Sequence, residues 1–201
     1  MNTTMSHLLP SATNMIRLDH THVLSTFHQY KAEAPARVRR GLANTICLAL
    51  EIHAQLEEEV FYPAMREVAP ELLSASEPEH QEMREHIARL RAMAPDDEGY
   101  DETVLSLMRG VMHHVAEEET VVLPAAERLI PEQLGELGAR MTKLRLRLAV
   151  PRSGEIALNM GRAVSGNTIV MLGLGLLAIG LLAGRGGQAA RPMRAVYQRL
   201  R

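Results

Sequence analysis

Hydrophobic positions recur at alternating intervals of three and four residues in four segments of the first 130 residues. This spacing places them on one face of an α-helix, and the breaks between the segments contain Pro, Gly or Ser. The four predicted inward faces are Ile16, His20, Val23, Phe27 and Tyr30; Leu42, Ile46, Ala49, His53, Leu56 and Val60; His80, Met83, Ile87 and Leu90; and Val104, Leu107, Val111, His114, Glu118 and Val121. The pattern predicts an all-α helix bundle.

Each inward face also carries a polar side chain. Glu57 follows His53 by four residues and Glu118 follows His114 by four, so each pair projects from one side of its helix. Buried carboxylates and imidazoles need a partner, because desolvating them alone is costly. No Arg or Lys lies on these faces, so the pattern favours metal coordination. A lone core histidine is more often structural, but four on successive helices are a different case.

The two halves of this region repeat each other. HAQLEEEVFYPA, beginning at His53, matches HVAEEETVVLPA, beginning at His114, and DHTHVL around His20 loosely matches EHQEMR around His80. Each half is predicted to be a helical hairpin that contributes one lone His and one His-x-x-x-Glu pair. Pairing the hairpins gives a pseudo-twofold site suited to two metal ions.

The residue types narrow the choice of metal. Mixed imidazole and carboxylate ligands suit iron, manganese or zinc, and the absence of nearby cysteines argues against an iron–sulfur or cysteine-rich zinc site. Ligand type alone does not select iron among these metals.

The pattern H…HxxxE…H…HxxxE, with Pro ten residues after the His of each pair, resembles the hemerythrin HHE cation-binding family over residues 15–130. The resemblance implies an up-down-up-down four-helix bundle around two oxo- or hydroxo-bridged irons, with Zn or Mn as alternative metals. It also implies that four histidines are terminal ligands and that Glu57 and Glu118 bridge the metals. The implied metal ligands are His20, His53, Glu57, His80, His114 and Glu118.

The sequence departs from the oxygen-carrying hemerythrins, whose third helix carries HxxxH and whose last pair is HxxxxD. The positions four residues from His80 are Ser76 and Arg84. One histidine ligand is therefore missing, and an additional coordination position is expected to be open or filled by water or a nonstandard ligand. This departure argues against a simple reversible O2 carrier.

The remaining histidines and several acidic residues lie off the inward faces. We expect His22, His28, His86 and His113 to face solvent, and His7 to precede the first helix. Glu58, Glu59, Glu117 and Glu119 are interpreted as a solvated acidic face.

Charge divides the chain into an acidic body and a basic tail. Residues 1–130 hold 21 Asp and Glu against 11 Lys and Arg, whereas residues 131–201 hold 3 against 11. No motif that reads nucleic-acid grooves accompanies these arginines, so nucleic-acid binding is not expected. The single cysteine, Cys47, excludes an intrachain disulfide and favours a reducing compartment.

Residues 131–162 are predicted to form a basic amphipathic linker helix. Leu134, Leu137, Met141, Leu144 and Leu148 follow helical spacing among basic residues. We expect this face to meet an anionic lipid surface, and the alternative is a fifth helix packed on the bundle.

Residues 163–184 are predicted to form a single transmembrane helix, followed by a basic C-terminal tail at 185–201. The 22 uncharged positions between Arg162 and Arg185 span about 33 Å as a helix, enough to cross a bilayer. A buried helix or hairpin is the alternative. Because no signal peptide precedes the first helix, the metal domain is expected in the cytoplasm, anchored to the membrane. Gly166, Gly173 and Gly180 could also allow homo-oligomers through this helix.

Three functions remain open for the chain. The leading hypothesis is a non-haem di-iron protein that binds or senses O2, NO or peroxide. The runner-up is a di-iron enzyme that decomposes peroxide or reduces a small oxidant, and the third is iron or zinc handling. Ferritin-like oxidases are less favoured, because they use Glu-x-x-His at i,i+3, the reverse order of the pairs found here.

Overall fold

The computed structural model describes residues 9–163, so the predicted transmembrane helix, apart from its first residue, and the basic tail lie outside the described residues. The described region is helical and contains no strand, in agreement with the predicted all-α fold. Its α-helices are α1 (Ala12–Gln29), α2 (Ala36–Leu56), α3 (Tyr62–Arg66), α4 (Ser76–Ala92), α5 (Tyr100–Glu117), α6 (Leu123–Leu129), α7 (Leu134–Ala149) and α8 (Ser153–Ala163).

Four long helical rods form the bundle, because α2 continues into α3 and α5 continues into α6. Short connections favour antiparallel neighbours. The end of α1 meets the start of α5 where the Tyr30 hydroxyl donates a hydrogen bond to Asp101, and the start of α2 meets the end of α4 where Arg40 donates to the carbonyl of Met93. The predicted four-helix bundle is thus present, although α7 and α8 add further helices to it.

Local signals fix where the rods begin. The Ser11 side chain accepts a hydrogen bond from the backbone N–H of Asn14 and caps the start of α1. Gly99 precedes α5 with φ of 81°, a left-handed conformation that glycine adopts without steric cost. These two residues determine where α1 and α5 begin.

Each of the two continuous rods contains one π-helical segment, Glu57–Phe61 and Glu118–Val122. The N–H of Tyr62 donates to the carbonyl of Glu57, and the N–H of Leu123 donates to that of Glu118, five residues back in both cases. Pro63 and Pro124 explain the widened turn, because a proline lacks the N–H for the regular bond and its ring clashes with the carbonyl four residues back.

The second π segment changes which valine faces inward. A wider turn holds more residues, so the inward position after Glu118 falls four residues later rather than three. Val122 is fully buried, whereas Val121 is 43% exposed. The prediction of Val121 as an inward residue was therefore wrong.

The apolar core is divided into two clusters. One contains Ile16, Leu56, Phe61 and Leu123 together with residues of α7, and the other contains residues such as Val23 and Leu107. The buried histidines and glutamates lie between the positions that form these clusters. Cys47 packs in the second cluster, where burial raises the pKa of its thiol to about 12, so it serves as a packing residue.

The segment predicted as a basic amphipathic linker forms α7 and α8, and both pack on the bundle. The apolar residues Leu137, Met141 and Leu144 of α7 are buried in the first core cluster. The expectation that this face meets lipid is corrected, because protein already covers it. No helix within residues 9–163 is long and apolar enough to cross a membrane.

Candidate metal centre

The six residues predicted as metal ligands come together in the middle of the bundle. Each is at most 3% exposed. One ligand atom from each of five residues lies within 4.8 Å of all the others, and these residues are His20, His53, Glu57, His114 and Glu118. His80 joins the group through its Nε2, which lies 3.2 Å from Glu57 Oε2.

The four imidazoles form two pairs. The ring centroids of His20 and His53 are 5.0 Å apart, and those of His80 and His114 are 4.8 Å apart. The separations between the two pairs are longer, from 6.2 Å to 6.5 Å. This grouping fits two neighbouring metal sites, each with two histidines.

Each central carboxylate reaches a histidine of both pairs. Glu57 Oε2 lies 3.3 Å from His53 Nε2 and 3.2 Å from His80 Nε2. Glu118 Oε2 lies 3.3 Å from His20 Nε2 and 3.6 Å from His114 Nε2. Both glutamates therefore stand where a carboxylate can bridge two metal ions.

The outer nitrogen of each histidine faces a further carboxylate. The Nδ1 atoms lie 3.0 Å from a carboxylate oxygen of Glu119 in His20, 3.6 Å from Asp19 in His53, 2.8 Å from Glu58 in His80 and 2.9 Å from Glu79 in His114. A carboxylate on this side keeps the proton on Nδ1 and leaves the Nε2 lone pair directed at the centre.

These outer contacts follow the pseudo-twofold pattern of the sequence. Glu58 and Glu119 each cross from one hairpin to the lone histidine of the other. Asp19 and Glu79 each face the Nδ1 atom of the histidine in the His-x-x-x-Glu pair of their own hairpin, His53 and His114. The internal repeat therefore includes the supporting carboxylates as well as the central residues.

Tyr62 breaks this symmetry at the centre. It is fully buried, and its hydroxyl donates to Glu118 Oε1 at 2.9 Å and lies 3.2 Å from Glu57 Oε2 and 3.4 Å from His80 Nε2. Leu123 holds the equivalent place in the second hairpin. The phenol thus supplies one more oxygen donor, close to the histidine pair that lacks the additional histidine of oxygen-carrying hemerythrins.

The donor atoms of the site fit metal cations. Within residues 9–163, the ion pairs of Glu57 and Glu118 are all with histidines. Several buried atoms that face the centre lack a hydrogen-bond partner in this region, namely His20 Nε2, His53 Nε2, Glu57 Oε1 and Glu118 Oε2. Orphaned nitrogen and carboxylate lone pairs that converge on one point are the donor set of a transition-metal site.

In the absence of a metal, the pKa values of the central residues are shifted in different directions. Burial and the neighbouring charge of Glu118 raise the pKa of Glu57 well above its usual range. Burial also acts to raise the pKa of Glu118, but the adjacent His20 ring, with Nε2 3.3 Å away, and the charges of nearby histidines outweigh it and lower this pKa to about 2. Burial and the charge of His114 lower the pKa of His80 to about 4. His80 is therefore neutral and ready to bind a cation at neutral pH.

The expectations for the surface residues are partly corrected. His28 and His113 are exposed as expected, but His22 and His86 are half-buried. Glu58 and Glu119 are partly exposed, as expected for a solvated face, but each also contacts the Nδ1 atom of a central histidine. The sequence signal for these two residues was the repeated Glu-Glu after each His-x-x-x, and the signal for Asp19 and Glu79 was the acidic residue before each lone histidine. Tyr62 has no such repeated signal.

A cavity of about 380 Å³ borders the centre between α2 and α4. His80 and Glu58 line it on the side of the metal centre, and Arg152, just before α8, lines it from the C-terminal segment. Its apolar lining includes Leu50, Ala54, Met83 and Ile87. The cavity is large enough to bring a small solute next to the imidazole of His80.

A family model described as the Hemerythrin HHE cation binding domain matches residues 11–126. The crystal structure of a hemerythrin HHE cation binding domain-containing protein from Mycobacterium kansasii has the same fold, with a TM-score of 0.61 at 21% identity over 78% of this chain and 96% of that protein. The matched residues contain all six central residues. The helices α7 and α8 lie beyond them.

Two curated relatives also match the chain in sequence. An uncharacterized protein of Mycobacterium tuberculosis is 26% identical over 136 residues, which are 65% of this chain and 83% of that protein. A DNA nickase of Nostoc sp. is 28% identical over 151 residues, which are 70% of this chain. This chain covers only 42% of the length of the nickase.

Proposed function

Because the chain belongs to the hemerythrin HHE cation-binding family, we propose that it holds two iron ions and uses them to bind or sense O2, NO or peroxide. In this proposal each histidine pair binds one iron, Glu57 and Glu118 bridge them, and Zn or Mn can replace iron. The observation that carries the proposal is the position of each bridging carboxylate within 3.6 Å of a histidine from both pairs.

Two bound irons would supply a redox couple and a coordination position for a small ligand. The protein groups prepare the site for them. Hydrogen bonds to Glu119, Glu58 and Glu79 fix the tautomers of His20, His80 and His114, so that their Nε2 lone pairs are directed inward. Asp19 faces Nδ1 of His53 in the same way at 3.6 Å. The two apolar clusters on either side exclude water and hold the side chains in place.

The cavity beside His80 supports a ligand-binding role. Its apolar lining suits O2 and NO, and its polar residues suit peroxide. A small ligand entering here would meet the half of the centre that carries Tyr62 and lacks the additional histidine of oxygen carriers.

Tyr62 favours an enzyme as the second candidate. Burial and the charges of Glu57 and Glu118 raise the pKa of its hydroxyl, so the phenol keeps its proton at the centre. In this protonated state the phenol, next to both bridging carboxylates, can donate a hydrogen bond to a bound oxidant and protonate a strongly basic product formed there. Decomposition of hydrogen peroxide to water and O2 balances without an external electron donor, which makes it the simplest such reaction.

The sequence also supports a membrane tether through residues 163–184, with the metal domain on the cytoplasmic side. The support is the run of 22 uncharged positions between Arg162 and Arg185. The glycines spaced by seven in this run are suited to contact with a second copy, which makes a homo-oligomer part of this proposal.

Metal analysis with matched variants tests the proposed function. Protein purified without O2 should contain about two irons per chain, because six shared ligands suit two six-coordinate ions. His53→Ala and Glu118→Ala should each remove most of this iron, whereas His113→Ala, which changes a side chain that is 76% exposed, should retain it.

Optical titration then separates the candidate functions. Saturable spectral changes with O2, NO or peroxide support binding or sensing, and steady O2 release from peroxide supports the enzyme. Equal iron loss in all three variants would contradict the assigned ligands. A protein that holds only zinc and responds to no ligand would contradict the redox role.

A further inference from the structure

The helix α7 reaches the metal centre although it lies beyond the residues that match the family. The match ends at residue 126, and α7 spans Leu134–Ala149. From α7 the Arg145 guanidinium holds Asp19 of α1 in a two-point contact. Its Nη1 donates to Asp19 Oδ1 at 2.7 Å, and its Nη2 donates to Oδ2. Such a paired contact fixes the plane of the carboxylate as well as its charge.

Asp19 in turn faces a histidine of the centre. The Oδ2 atom that accepts from Arg145 lies 3.6 Å from His53 Nδ1, and His53 Nε2 lies 3.3 Å from Glu57. A guanidinium, a carboxylate and an imidazole thus connect α7 to a bridging glutamate. Asp19 is 14% exposed and Arg145 is 11% exposed, so water weakens this ion pair far less than a surface pair.

Among residues 9–163, no arginine or lysine pairs with Glu79, the counterpart of Asp19 in the second hairpin. Glu79 faces His114 as Asp19 faces His53, but its other neighbour is His113, 3.5 Å away on α5 and 76% exposed. The repeat therefore does not require a cation from outside the two hairpins. Arg84 of α4 holds Glu58 beside His80 from within the hairpins, whereas Arg145 reaches Asp19 from α7.

Helix α7 is held too closely to move independently of this contact. A Cβ atom at Gly138 would lie 2.2 Å from the carbonyl oxygen of Pro10, so only glycine permits this approach to the start of α1. Leu137, Met141 and Leu144 are buried on the same side of α7. The position of the Arg145 side chain is therefore set by the docking of the whole helix.

We infer that Arg145 is a positioning residue of the metal centre, and that metal binding at His53 and docking of α7 strengthen each other. This inference rests on the proposed function, because it requires a metal at Nε2 of His53. With a cation bound at Nε2, the Nδ1–H of His53 would become a stronger donor toward the Asp19 carboxylate, 3.6 Å away, that Arg145 orients. Coupling between two binding events is reciprocal, so a helix that improves metal binding is stabilised by the metal to the same extent.

The first test compares Arg145→Gln with Arg147→Gln in the full chain. Both substitutions remove one positive charge from α7, but Arg147 is exposed. Iron(II) affinity is measured without O2 by competition with a coloured chelator. Arg145→Gln should weaken binding by up to about tenfold, the lower end of the effect of removing a partner of a ligating histidine, because Arg145 acts through Asp19; Arg147→Gln should match the unmodified protein. Arg145→Lys, which keeps the charge but not the two-point contact, should fall between them.

The second test is amide hydrogen exchange with and without iron(II). Iron should slow exchange in α7 more than in α8, and Arg145→Gln should lose this difference. If iron(II) affinity and α7 exchange are the same in Arg145→Gln and Arg147→Gln, the inference is wrong and the proposed function stands. If the unmodified chain binds no iron, both are wrong. If Arg145→Gln does not fold, the unmodified chain decides, because equal protection of α7 and α8 by iron would overturn the inference.

Discussion

The Tyr62 hydroxyl donates a hydrogen bond to Glu118 across the interface between the two hairpins, at 2.9 Å, while Leu123 occupies the equivalent position in the other half. The two hairpins therefore contribute matching sets of carboxylates and histidines, but only the first contributes a further oxygen donor, the Tyr62 hydroxyl. This difference makes the two proposed iron positions chemically unequal.

Replacing this phenol should change reactivity more than iron content. We expect Tyr62→Phe to keep about two irons, because the six predicted ligands remain. If the hydroxyl donates a proton to a reduced oxidant, the rate of peroxide consumption should fall on the order of a hundredfold. Tyr100→Phe is the matched control, since Tyr100 is also buried but lies in the second core cluster away from the centre. Equal rates in both variants would rule out the proton-donor role.

Metal binding should release protons, and the raised pKa of Glu57 sets the direction. A carboxyl whose pKa is raised keeps its proton to a higher pH than an ordinary glutamate and must lose it to bridge two metals. His20, whose pKa is also raised because Glu118 outweighs the effect of burial, adds to the release. His80, with a pKa of about 4, is already neutral and adds none.

Metal affinity should therefore fall as the pH drops through neutrality. Calorimetry of zinc or iron(II) binding in buffers with different ionisation enthalpies measures the number of protons released. Loss of the release in Glu57→Gln would identify the source. A binding enthalpy that is independent of the buffer would contradict the assignment.

Filling the cavity beside His80 should slow ligand entry without removing iron. Ala54 lines this cavity from α2, so Ala54→Trp places a large ring in it. We expect the association rate of peroxide or azide with the iron-loaded protein to fall. Ala116→Trp, at an exposed position of α5, should leave the rate unchanged. An unchanged rate in Ala54→Trp would mean that ligands use another route.

The membrane prediction can be tested by comparing the full chain with a chain that ends at residue 163. This end point preserves α8, which packs on α2 and whose removal would expose Gly41 and its neighbours. The full chain should sediment with membranes and require detergent for release, whereas the shortened chain should stay in the supernatant and keep its iron. A full chain that stays soluble in the carbonate supernatant without detergent would favour the buried-hairpin alternative.

The sequence predicted the parts of the site that periodicity and repetition mark. His53 and Glu57 recur as His114 and Glu118 at helical spacing, so their shared face could be read without a structure. The sequence did not predict Tyr62 as a site residue, because the second hairpin has no tyrosine at the equivalent position and because the π segment before Tyr62 changes the helical register. The change of register also explains the error at Val121.

Longer-range relationships were less accessible to this reasoning. Periodicity reveals that one face of α7 is apolar, but it does not say whether lipid or protein covers that face. The Arg145–Asp19 contact joins residues 126 positions apart, and neither residue type signals its partner. Such contacts depend on how helices dock, which follows from side-chain shape over the whole interface.

If the layer of buried imidazoles and carboxylates between the two apolar clusters holds metal as proposed, folding and metal binding become a single equilibrium. Any cation that binds only the folded chain lowers its free energy, by about 2.7 kcal/mol at a hundredfold excess over the dissociation constant. Starvation for the metal therefore removes stability from the middle of the bundle, where neither apolar cluster can replace it. The amount of folded protein in a cell would then rise and fall with the availability of that metal, so turnover of the chain could itself report metal status.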